Sequence, residues 1–169
     1  KIIRFTSKKL EKIYNRGLLK SRRVEEKVKR IIEDVRVLGD EALLKYTKKF
    51  DGVKLSLKQL KVSEIEISGA YQNISPNFVS SLKVIIENVN RFYRKVLKKS
   101  WRMKDADGVI LGENYTPLEK VGVYIPAGTA PLVSTVYMTV LPAKLAGVKK
   151  IALISPPDKQ GLINPHILV

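Results

Sequence analysis

KVGVYIPAGTAPLVSTVYMTVLPAKLAGVKKIALISPP, residues 120–157, decides the fold. Lys120 to Ile125 is a β-rich run that Pro126 stops. Pro126-Ala127-Gly128-Thr129-Ala130-Pro131 follows as a tight loop of small residues. Ser134 or Thr135 is placed to cap a helix that runs through Ala146, with Gly147 as the residue that ends it. Lys149 to Ser155 is a second strand, mostly apolar as a buried parallel strand should be, and Pro156-Pro157 closes it. Two strands joined by one helix make a βαβ crossover. The chain therefore reads as α/β, with an N-terminal helical segment and a hairpin leading into the start of an incomplete Rossmann-like parallel sheet.

In open α/β sheets ligands bind beyond the carboxyl ends of the strands, where the loop after Ile125 lies. Small residues admit a ligand close to the backbone, and a following helix N-terminus favours an anionic group. Tyr124 ends the strand, placed to lay its ring against a base or ribose. The spacing of Gly122, Gly128 and Gly147 is not the dinucleotide fingerprint, and no Gly-Lys-Ser/Thr of a phosphate loop follows. Physical grounds alone leave two readings open, a structural crossover and a ligand loop. Pro142 should cost the helix one hydrogen bond and bend it.

Working outward, the N-terminal part reads as helices. Val24, Val28, Ile31, Ile32, Val35 and Leu38 form one apolar stripe, with Ser21 as N-cap and Gly39 as the terminator. Asp40 is placed to cap a second helix over 41–50, with Leu43, Leu44 and Tyr46 or Thr47 turned inward. Val53, Leu55 and Leu57 alternate with polar residues and suggest a short strand. Ser63-Glu64-Ile65-Glu66 is a capping-box pattern for a helix reaching about Gln72. Ser75-Pro76 opens a longer helix to about Lys99, with the stripe Val79, Leu82, Ile86, Val89, Phe92, Tyr93 and Val96. Asp105-Ala106-Asp107-Gly108 is a turn between two short extended runs, hence a hairpin. The change from Lys-rich helices to alternating strands and helices comes near Pro117. The expected domains are thus 1–116, mainly helical with a short hairpin, and 117–169, the first βαβ of a Rossmann-like domain.

The 169 residues hold 44% hydrophobic residues, no cysteine and one histidine, His166. Disulfides and thiolate chemistry are excluded within the chain, and a zinc site of three or four ligands is hard to build from it. No apolar run approaches the roughly 20 residues of a membrane helix, so no membrane partner is expected. Lys1 to Phe5 shows no signal-peptide pattern, so none is expected. The net charge is +16. Residues 1–60 carry 18 basic and 8 acidic residues, whereas 121–169 carry 4 and 1. A basic nucleic-acid-binding module is one reading, resting on Lys20-Ser-Arg-Arg23 and Arg94 to Lys99. A solvated Lys-rich surface is the favoured one, because the cations sit beside Glu on helix faces without interleaved aromatics.

Val121 to Leu132, Ser134 to Met138, Pro142 to Val148 and Ser155 to Pro157 together resemble histidinol dehydrogenase. Upstream, Val35 to Leu43, Tyr46, Phe50-Asp51, Asp107 to Val109, Leu111-Gly112 and Pro117-Leu118 agree in order. The resemblance implies a cytoplasmic, zinc-dependent homodimer of histidine biosynthesis that oxidises L-histidinol to L-histidine through an aldehyde, using two NAD+. It implies that the zinc ligands and the catalytic Glu-His pair lie downstream, outside this chain, so no catalytic or metal-binding residue is named within it. It assigns Tyr124 to NAD contact, with Pro126 and Gly128 as neighbours of the cofactor. Two positions depart from the family. Ala127 stands where Gly is usual and would be strained if its φ were positive, and Glu113 stands where Gln is common. A non-catalytic fragment or paralogue is the remaining alternative.

Overall fold

The computed structural model describes Tyr14, residues 22–127 and residues 130–169. The Ser21 cap and Gly128 lie outside the described residues. The chain divides into two compact units, one ending at Tyr46 and one running from Thr47 to Val169.

In the first unit, α1 (Arg22–Leu38) ends where Gly39 takes φ 56° and donates its N–H to the Val35 carbonyl at 2.9 Å. A side chain resists that backbone, so glycine is the natural stop. The Gly39 carbonyl then accepts from the Ala42 N–H at 3.1 Å, which opens α2 (Asp40–Phe50). Asp40 is therefore the first helical residue and not the cap. It still suits the helix dipole, as Lys48 and Lys49 do at the other end. Ala42 is fully buried, Leu44, Tyr46 and Thr47 are half-buried, and Leu43 points outward. Glu25–Lys29 and Glu33–Arg36 ion pairs lie exposed along α1. Such exposed pairs contribute little stability.

In the second unit, Val53 to Leu57 is not a strand. Val53 is buried, and Gly161 approaches so closely that a Cβ there would lie 2.9 Å from Leu55 Cδ2 and 3.4 Å from Val53 Cγ1. The alternating pattern thus serves packing against a loop instead of a ladder. A 3₁₀ turn, Leu57–Gln59, follows, with the Ser56 N–H and hydroxyl both donating to Gln59 Oε1. The capping box at Ser63 and Glu66 forms and opens α3 (Glu64–Gln72). Ser75 accepts from the Phe78 N–H and Pro76 starts α4 (Pro76–Val96). Val79, Leu82, Ile86, Val89 and Tyr93 are half-buried, but Phe92 and Val96 are exposed, and the helix stops three residues before Lys99.

β1 (Trp101–Lys104) and β2 (Ile110–Glu113) form the antiparallel hairpin, with Trp101 opposite Glu113 and Lys104 opposite Ile110. Asp105 closes its turn by accepting from the N–H groups of Asp107 and Val109, and Gly108 takes φ 86°. β3 (Lys120–Tyr124) pairs in parallel with β4 (Lys150–Ile154), and α5 (Val133–Leu145) is the crossover between them. This is the expected α/β class. α4 and α5 pack together, α5 packs on β3, and the short α6 (Pro165–Leu168) docks on α3 and α5. Ile167 of α6 is buried, and the His166 ring meets Phe78 of α4 edge-on at 4.9 Å between centroids. Among the described residues, no helix is long and apolar enough to cross a membrane.

Candidate functional site: the loop after the third strand

The β3–α5 loop is built from the end of the parallel ladder. Along β3, against which α5 packs, Val121 and Val123 are half-buried and Ile125 is fully buried. Gly122 and Tyr124 alternate onto the other face, and Tyr124 is 62% exposed. Period-two alternation alone thus places the Tyr124 ring in the open at the carboxyl end of the strand.

The backbone beside Tyr124 is pinned. The Ile125 N–H donates to the Ile154 carbonyl at 2.7 Å, which extends the ladder one step past Tyr124. The Ser155 hydroxyl donates to the Ile125 carbonyl at 3.1 Å. Farther along, the Leu132 N–H donates to the Pro126 carbonyl at 3.2 Å and draws the two ends of the loop together. Pro126 is exposed and Ala127 half-buried. No non-glycine residue among those described has a positive φ, so Ala127 in place of Gly introduces no backbone strain.

α5 begins two to three residues earlier than the sequence suggests. Leu132 is its N-cap, so Ser134 and Thr135 lie inside the helix, and no side chain caps the first turn. Uncapped N–H groups and the positive end of the helix dipole suit an anion. At its other end the expected terminator is in place. Gly147 takes φ 92°, its N–H donates to the Lys144 carbonyl, and the Val148 N–H donates to that of Ala143. Pro142 lies within α5 and cannot donate, while the nearby Thr139 hydroxyl bonds back to the Thr135 and Val136 carbonyls.

Of the three residues assigned to the cofactor, Tyr124 and Pro126 lie together at the end of β3. The sequence reading passed over Ser155. Its signal was the proline that follows it, because a strand ending in Ser-Pro loses the next ladder donor. His166 stands apart, held by its N–H and Nδ1 to Asn164 Oδ1. Among the described residues, no three His, Cys, Asp or Glu side chains group as metal ligands would. A shallow groove lined by Ile86, Glu87, Asn90, Arg91, Arg94 and Lys95 lies along α4 alone. A groove made by one helix's own side chains encloses nothing, so the β3–α5 loop remains the candidate.

Comparison with known proteins agrees over the whole described region. The histidinol dehydrogenase family pattern matches residues 14–169. The histidinol dehydrogenase of Carboxydothermus hydrogenoformans is 44% identical over 156 residues, covering 92% of this chain and 36% of that protein. That of Heliobacterium mobile is 37% identical over 169 residues, covering 100% of this chain and 40% of the relative. The crystal structure of histidinol dehydrogenase from Elizabethkingia anophelis superposes with a TM-score of 0.80 at 37% identity, covering 86% of this chain and 33% of that one. The chain spans about a third to two-fifths of the length of the relatives it matches. On the family match over residues 14–169 and these identities, this chain belongs to the histidinol dehydrogenase family.

Proposed function

We propose that this chain forms part of the NAD site of an enzyme that oxidises L-histidinol to L-histidine through the aldehyde. The observation that carries the reading is the Tyr124 ring, exposed at the carboxyl end of β3 beside a pinned loop. Exposing a tyrosine there leaves its flat apolar face free to stack on a base or ribose, with the hydroxyl still in water. Pro126 and Gly128 would border the same ligand, and the uncapped first turn of α5 suits its anionic part. NAD supplies the hydride acceptor when bound. The residues of this chain position it and transfer no proton.

Residues 117–169 would then be the first βαβ of a Rossmann-like NAD-binding domain, after a mainly helical region 1–116. Zinc would be held by residues outside this chain, as the resemblance to the family implies. The same reading makes the whole protein a cytoplasmic homodimer of histidine biosynthesis.

Replacing Tyr124 with Ala in the complete enzyme tests the site. Losing one stacked ring should raise KM for NAD+ about 5- to 10-fold and leave KM for histidinol within about 2-fold. Equal changes in both constants, or none in either, would remove Tyr124 from the cofactor site.

A further inference from the structure

We propose that Ser155 is the positioning residue of the cofactor loop, acting through the Ile125 carbonyl. The inference rests on the reading of that loop as part of the NAD site. In the β3–β4 register, Tyr124 lies opposite Ile154, and the Ile125 N–H already bonds the Ile154 carbonyl. In a parallel ladder, the residue that donates to position j−1 accepts from the N–H at j+1. For Ile125 that donor belongs to residue 156, which is Pro156 and has no N–H.

The Ile125 carbonyl would therefore lose its ladder partner in a residue that is fully buried. The half-buried Ser155 hydroxyl supplies the bond at 3.1 Å. Ile125 is thus held on both its backbone groups, one by the strand and one by a side chain. Tyr124 precedes it and Pro126 follows it, so the fixed residue sets the path of both. The Ser-Pro pair stops the sheet and orients the loop in one step. Without the hydroxyl the carbonyl must find water, which the packed Ile125 resists, and the peptide after Ile125 is free to rotate.

The complete enzyme tests this with Ser155→Ala, Ser155→Thr and Tyr124→Ala, each first checked for folding by thermal melting. Loss of one bond to a buried carbonyl should raise KM for NAD+ about 3- to 10-fold in Ser155→Ala. kcat and KM for histidinol should stay within about 2-fold, and Ser155→Thr, which keeps the hydroxyl, should restore KM for NAD+. If Tyr124→Ala raises KM for NAD+ and Ser155→Ala does not, the positioning role is overturned and the cofactor reading stands. If neither variant changes it, the cofactor reading falls and takes the positioning role with it. If Ser155→Ala impairs kcat and both KM values together, or Ser155→Thr fails to rescue, the residue is structural only and the proposal is overturned.

Discussion

The Tyr46 hydroxyl donates to Asp34 Oδ2 at 2.7 Å and ties α2 back to α1. Lys45 Nζ reaches the same oxygen at 3.2 Å. The hydrogen bond from Tyr46, then that from Lys45, holds the Asp34 carboxyl below the usual carboxylate range, and the same bond raises the Tyr46 phenol. Gly39 makes the contact possible, because its positive φ turns the chain sharply enough for two successive helices to face each other.

The pH dependence follows from those directions. Asp34 is depressed in the folded state, so its contribution is complete above the unfolded value of about 3.9 and fades as pH falls through the lower folded value. The Tyr46 contribution is complete below about 10 and fades as pH rises through its raised folded value. Tyr46→Phe should move the Asp34 titration, followed by NMR of its carboxyl carbon, back toward the ordinary aspartate value. Lys45→Met should move it less. An Asp34 titration unchanged in Tyr46→Phe would show that the phenol does not hold it.

Gly112 and Gly69 should respond to alanine in opposite ways. A Cβ at Gly112 would collide with the Trp101 carbonyl oxygen, so the hairpin must open or shift. Nothing lies within 4 Å of a Cβ at Gly69, which sits inside α3 without a positive φ. Gly112→Ala should cost about 1–3 kcal/mol, whereas Gly69→Ala should gain about 0.5–1 kcal/mol from helix propensity. Trp101 is the only tryptophan, so its emission reports the hairpin directly. A Gly112→Ala protein with unchanged emission and stability would contradict the register.

Ser63→Ala should destabilise α3 by about 1 kcal/mol, the usual cost of losing an N-cap. Here the serine accepts from the Glu66 N–H at 3.2 Å, and its own N–H and hydroxyl both donate to Glu66 Oε2 at 2.8 Å. Those two donors, the backbone one first, hold Glu66 below its ordinary value. The Glu66 contribution is therefore present above its unfolded pKa of about 4.3 and lost as pH falls through the lowered folded value. The difference between wild type and Ser63→Ala in chemical denaturation should be largest near neutral pH and shrink in acid. A difference that grew in acid would contradict the capping box.

Legibility in the sequence followed locality. Ser63-Glu66, Ser75-Pro76, Gly39, Gly147 and Asp105 to Gly108 act within a few residues of themselves, and each was readable in place. Faces and partners depend on distant chain. Alternation at Val53, Leu55 and Leu57 could not say that the neighbour would be the loop at Gly161 instead of a strand. The α4 stripe marked Val79, Leu82, Ile86, Val89 and Tyr93 correctly, but period alone cannot tell that Phe92 and Val96 lie exposed. At the site, the β-rich run stopped by Pro126 indicated that Tyr124 ends the strand, while its assignment to NAD came from the family resemblance. The bond from Ser155 to Ile125 spans 30 residues, and it becomes visible only once the strands are in register.

The edge-on contact between His166 and Phe78 gives the protein a built-in reporter. With one histidine in the chain, its two imidazole carbon-bound protons need no assignment among several histidines in a carbon–proton correlation spectrum. The neighbouring phenyl ring displaces their resonances through its ring current as long as α6 stays docked. Separation of α6 from α4 would return them to the positions of a free imidazole. The docking of this last short helix can thus be followed in solution without attaching a label.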